Sequence, residues 1–310
     1  MAGLKQIKSK IRSVEKTQTV TKAMEAVSAA KMRKAQQTAL AGRAYARAAV
    51  SILARLSGAQ SLQNHVLVAP RASVHKILWI VITSDKGLAG ALNSAVLRGT
   101  LAEMMAQASL PEQIAVVAVG KKAFDFFSVR GFAIEAYHPN TNTVDSVLID
   151  ELVHEATFRF ASGAVDKVML SYQGFVSTFE QKAAVRQVYP LEVGELLKTV
   201  DDIAPKKGAL SDHFQSASSE AVPAPVYTIE PSEEAVLGAI LPKLASIFVY
   251  HALLESQASE HSARMVAMKS ASDKAEEMEH LLTLKFNKAR QAAITREVSE
   301  ITGGMEAMAA

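Results

Sequence analysis

The chain has 310 residues, a net charge of +3, 49% hydrophobic residues and only 6% aromatic ones. That suffices to bury a core, and the length fits one large domain or two smaller ones. There is no cysteine, which excludes disulfides, thiolate metal sites and thiol catalysis and fits a reducing compartment.

The charge is unevenly spread. Residues 1–60 carry twelve Lys or Arg against Glu15 and Glu25, a local charge of +10 that leaves −7 for the rest. The opening MAGLKQIKSKIRSVEK lacks the apolar segment of a signal peptide, and its basic pattern runs on too long for a transit peptide.

Residues 4–56 predict one helix, about 80 Å long at 1.5 Å per residue. Leu4, Ile7, Ile11 and Val14 step by three and four, as a coiled-coil seam does. The seam turns polar at Gln18 and Thr21 and resumes at Met24 and Val27. A solvated basic helix and one half of an antiparallel pair with the C-terminal helix both fit. The second explains why both ends of the chain are long and striped.

Residues 57–75 form a connector containing Gly58 and Pro70. Short β-branched runs then alternate with helical patterns. Strands are expected at 76–83, 113–119, 132–137 and 167–173, with an edge strand at 183–189 closed by Pro190. Helices are expected from about 93 to 107, through Phe127, and over 144–161. Such alternation predicts a layered α/β domain with a mostly parallel sheet. Residues 199–228, with Pro205, Gly208, Pro223 and Pro225, read as a surface excursion. Pro231 and Ser232 open a short helix that Pro242 interrupts. The last helix follows, Leu244 to Thr302, with apolar residues at Ala275, Met278, Leu282, Phe286, Ala289 and Ala293. Gly303-Gly304 weaken or stop it. The apolar run from Ile240 to Leu254 is too short to span a membrane and contains Pro242, Lys243 and His251.

Catalytic motifs do not emerge. SDKGLAGALN (84–93) follows a strand, but Lys86 precedes the glycines, unlike a P-loop, and only Gly87 and Gly90 are present where a dinucleotide site needs three. A tight strand-to-helix turn is expected there. His154-Glu155 lacks a second histidine four residues on, and there is no Gly-x-Ser-x-Gly elbow. No metal or cofactor is expected. The basic N-terminal helix suits nucleic acid, a membrane surface or an acidic protein, although it lacks interleaved aromatics for base stacking.

Several long runs resemble a known family, the gamma subunit of F-type ATP synthases. IKSKIRSVEKTQTVTKAMEAVSAAKMRKAQ (7–36) is similar to that family's opening segment. YHALLES (250–256), ASEHSARMVAMKSASD (258–273) and NKARQAAITREVSEITGG (287–304) resemble its closing helix. SDKGLAGALN resembles its globular-domain motif, departing at Ala89 and Ala91. The resemblance implies an antiparallel coiled coil of the terminal helices and a Rossmann-like α/β domain between them. The implied parts are a shaft helix over 1–58, the α/β domain over 59–198, the excursion over 199–230, and a second shaft helix with its tail over 231–310.

The resemblance also implies a non-catalytic rotor that couples a proton-driven membrane c-ring to catalytic beta subunits. Its partners would be the alpha and beta subunits, the epsilon subunit and the c-ring. Its place would be peripheral, on the cytoplasmic face of a bacterial plasma membrane. By motif, Met24 would face a beta lever loop, and Arg264, Arg290, Gln291 and Thr295 would grip a beta loop. Lys8, Lys10, Arg12, Lys22, Lys31, Arg33 and Lys34 would form a basic face toward acidic beta residues. A nucleotide-binding α/β enzyme and a basic coiled-coil scaffold for nucleic acid are the alternatives.

Overall fold

The computed structural model describes residues 2–56, 60–108, 110–141, 144–192, 230 and 232–309. The expected excursion at 199–228, Gly58 and Pro231 lie outside them. The elements are α1 (Ala2–Leu56), α2 (Gln60–Gln63), β1 (Ile77–Ile82), α3 (Leu92–Gln107), β2 (Ile114–Val119), α4 (Lys121–Ser128), β3 (Ala133–His138), α5 (Ser146–Ala161), β4 (Lys167–Phe175), β5 (Gln181–Tyr189) and α6 (Glu233–Ala309). They divide into two compact units, one of residues 1–28 with 264–310 and one of residues 29–263.

In the larger unit the sheet order is β3-β2-β1-β4-β5. The first four strands are parallel, and β5 pairs antiparallel with β4. The order β3-β2-β1-β4 is that of a Rossmann-type sheet. The central strands, ILWIVI and IAVVAV, are buried along their whole length, as strands covered on both faces must be. Ile77, Trp79 and Val81 point to one face and pack with Val96, Leu97, Met104 and Phe127 of α3 and α4. Leu78, Ile80 and Ile82 point to the other and pack with Leu152, Val153 and Phe160 of α5 and with Leu237, Leu241, Leu244 and Phe248 of α6. The edge strand β3 is only six residues long, pairs with a register shift at Val116/Val117, and carries Glu135. That carboxylate bridges to Arg159 at 2.9 Å and Lys76 at 3.8 Å.

Both terminal helices outrun expectation. Pro242 does not interrupt α6; it sits inside the helix. It lacks the N–H that would bond the carbonyl of residue 238, and that position is Gly238, with open space around it. Gly303 and Gly304 do not stop the helix either, because α6 runs on to Ala309. Among the described residues α6 is the one helix long and apolar enough to cross a membrane, but half of its most apolar window is buried inside the protein.

In the smaller unit the two helices face each other. The burial stripe on α1 runs through residues 4, 7, 11, 14, 18, 21, 25 and 28, and that on α6 through 268, 272, 275, 279, 282, 286, 289 and 293. Both follow the 3.5-residue repeat of a coiled coil. The expected seam at Met24 and Val27 is therefore displaced. Val27 is 55% exposed and Ser28 only 3%. Repeated steps of three drift round a helix, so the stripe moves to 25 and 28. For the same reason Met278 is exposed and Glu279 lies on the seam. Gln18 Nε2 donates to Glu276 Oε2 at 3.1 Å. In the larger unit Gly42 of α1 lies against Tyr250 and His251 of α6.

Candidate partner-contact surface

The heptad stripe decides where each candidate residue points. Lys8, Lys10, Arg12, Lys22, Lys31, Arg33 and Lys34 are all exposed. They do not share one face. Lys8 and Lys22 flank one side of the seam, Lys10 and Lys31 flank the other, Arg12 and Arg33 lie on the back, and Lys34 lines a cavity with Tyr250 and Leu254 of α6. The cations thus form a sleeve around α1, and a single acidic loop reaches only part of it. Met24 is half-buried beside the seam.

On α6, Arg290, Gln291 and Thr295 are exposed, and Gln291 and Thr295 stand one turn apart. Arg264 differs, being 8% exposed and engaged within the chain. It lies 26 residues before Arg290, or about 39 Å along a helix at 1.5 Å per residue. The four candidates on α6 therefore make two stations along that helix. Beyond Ala293 every α6 side chain described is exposed, including Ile294, Val298, Ile301 and Met305 at 53 to 66%. These four step by four, three and four and form one bare apolar stripe.

SDKGLAGALN is the expected tight turn. Asn93 Oδ1 accepts from the Ser84 backbone N–H at 3.1 Å, and Asn93 Nδ2 donates to Ser84 Oγ at 2.7 Å. Asp85 Oδ1 accepts from the Lys121 backbone N–H at 2.7 Å. Ser84 and Asn93 hold the turn itself, and Asp85 ties it to the start of α4. Leu88 and Gly90 take left-handed backbone angles, φ +64° and +59°.

In an open α/β sheet, ligands enter the crevice at the carboxyl ends of the strands, where the order reverses. Here that is the end of β1 and β4, and α6 crosses it. Ser259 Oγ donates to the Gln173 carbonyl of β4 at 3.1 Å, and Ser262 Oγ donates to the Thr178 carbonyl of the β4–β5 turn at 2.6 Å. Gln257 Nε2 donates to the Thr141 carbonyl, beyond the end of β3, at 2.9 Å. Two cavities beside this crossing share Gln257 and His261 and measure about 210 and 160 Å³. Both fall below the roughly 300–1,000 Å³ of small-molecule sites. No group of three or more potential metal ligands occurs among the described residues. The polar run at 256–262 gave no sequence signal beyond its serines, because their partners are backbone carbonyls.

A family model described as ATP synthase matches residues 3–308. The chain is 40% identical to the ATP synthase gamma chain of Heliobacterium modesticaldum, the alignment covering 99% of this chain and 100% of that one. The corresponding protein of Xanthomonas campestris pv. campestris gives the same identity and coverage. Among solved structures, a subunit of the Euglena gracilis mitochondrial ATP synthase (OSCP/F1/c-ring) superposes with a TM-score of 0.63 at 18% identity, covering 99% of this chain and 95% of that one. A chain from the Tetrahymena thermophila mitochondrial ATP synthase central stalk and c-ring gives 0.59 at 24% identity, covering 82% and 99%. At these identities the superpositions show the fold.

Proposed function

The chain belongs to the ATP synthase gamma-chain family, and from that premise we propose how its parts work. It is a non-catalytic rotor subunit of the central stalk of an F-type ATP synthase, and the chemistry of ATP belongs to the beta subunits. In the proposed arrangement the coil of α1 and α6 meets the alpha and beta subunits, and the sheet unit meets the epsilon subunit and the membrane c-ring. The complex keeps the chain at the cytoplasmic face of a bacterial plasma membrane.

One observation carries this reading: α6 continues past the end of its coil partner with one bare apolar stripe, which calls for an enclosing sleeve. Asymmetry supplies the mechanism. A lopsided shaft inside a threefold head touches each beta subunit differently, so each orientation favours a different conformation at each site. Turning the shaft cycles the sites, and by reciprocity ATP hydrolysis turns the shaft. Met24 and Arg264 serve one contact station. Arg290, Gln291 and Thr295 serve the other, with the exposed guanidinium of Arg290 forming a charge-assisted hydrogen bond to a beta loop.

Co-reconstitution with alpha, beta, epsilon and the membrane sector tests the reading. ATP-driven proton uptake into vesicles is expected only when this chain is present. Equal uptake without it would remove the rotor assignment.

A further inference from the structure

Hydroxyl side chains on the two long helices mostly fold back onto their own turn. Thr17 bonds the Ser13 carbonyl, Thr19 that of Glu15, Ser246 that of Pro242 and Thr302 that of Val298. This is the local default for such residues in a helix. Ser259 and Ser262 break the habit. Both are fully buried, and both reach across to carbonyls of the sheet and its turn. Gln257, 6% exposed, does the same toward Thr141.

The three bonds do not repeat one another. Residues 257 and 259 lie about 160° apart around the axis at 3.6 residues per turn, so the helix is held from opposite sides. The acceptors belong to three backbone segments: the chain after β3, the end of β4, and the β4–β5 turn. Up to Leu253 the helix is held by apolar packing, which is non-directional and resists rolling or sliding weakly. Hydrogen bonds weaken steeply with angle, so three of them aimed in different directions oppose both motions. They sit where an α/β sheet ordinarily holds its ligand. The helix occupies that place.

We infer that Gln257, Ser259 and Ser262 are positioning residues of a mechanical joint, locking α6 to the strand ends so that torque on the sheet enters the helix without slip. The inference rests on the rotor reading. The joint is tested in the assembled, vesicle-reconstituted complex, by the ratio of protons pumped to ATP hydrolysed. Replacing all three residues with alanine is expected to leave hydrolysis largely intact and to lower that ratio about threefold or more, since three directional bonds of ordinary strength are lost. The double variant Ser259→Thr with Ser262→Thr keeps both hydroxyls and is expected to retain the wild-type ratio. Ser272→Ala is the control: it is buried on the same helix, but its hydroxyl has no partner, and the ratio is expected to stay unchanged.

Should the triple variant fail to assemble, Ser262→Ala alone carries the test through the same ratio. A wild-type ratio in an assembled triple variant, or in Ser262→Ala where the triple fails, overturns the joint. A ratio that falls equally in Ser272→Ala also overturns it. If the wild-type complex pumps equally well without this chain, the rotor reading fails instead.

Discussion

Gly120 shows how one residue can hold a turn. It follows β2 at φ +99°, and a Cβ built on it would stand 2.1 Å from the Thr83 carbonyl oxygen at the end of β1. Backbone cannot yield as a flexible side chain can. Gly120→Ala is therefore expected to cost about 3 kcal/mol or more, read as a large fall in Tm of the purified chain. His251 makes a prediction about pH. It is 3% exposed, its Nδ1 has no partner, and burial lowers its pKa from 6.5 to about 4. Between those values the unfolded chain binds more protons than the folded one. Stability is thus fully present above the unfolded value of 6.5 and falls as pH drops toward 4. About 3 kcal/mol is expected to be lost across that window. His251→Phe keeps a ring and loses no Nδ1 bond, so urea unfolding of this variant is expected to depend less on pH below 6.5 with no penalty at neutral pH.

At the scale of elements, the glycines of α6 offer a direct test. Gly303 and Gly304 lie inside the helix with open space where a Cβ would go. Alanine at each is expected to stabilise the last turns by about 0.5–1 kcal/mol locally, seen as slower amide exchange over the final turns. The elements themselves were largely legible in the sequence, since β-branched runs and Ala/Leu/Glu/Lys-rich stretches report them directly. What misled was punctuation and phase. Pro242, Gly303 and Gly304 look like stops, yet tertiary packing around Pro242 and the length of the helix carry α6 through them. The seam followed apolar letters to Val27 and Met278, whereas the fold follows spacing and buries Ser28 and Ser272. The contact residues were legible only through the family resemblance. Nothing in the spacing of the seven N-terminal cations shows that they encircle their helix, until the buried stripe fixes which side is inward.

At the scale of the whole molecule, the two contact stations on the coil give separate predictions. Arg290 is exposed, so Arg290→Ala is expected to leave the free chain folded, with unchanged circular dichroism, and to lower ATP synthesis by the assembled enzyme about tenfold or more, which is what one charge-assisted bond provides. Normal synthesis would remove this residue from the contact. Met24→Lys places a long cation beside the seam and is expected to impair ATP-driven proton pumping while hydrolysis continues. Unaltered pumping would count against Met24 as a contact. The short edge strand β3 bears on the life of the chain before assembly. An open edge invites a neighbour's strand to add to it. Here a register shift interrupts the ladder, and Glu135 would have to leave Arg159 and Lys76 before a second molecule could dock flush. On the β3 side, a newly made copy waiting for its partners is thereby guarded against stacking on its siblings.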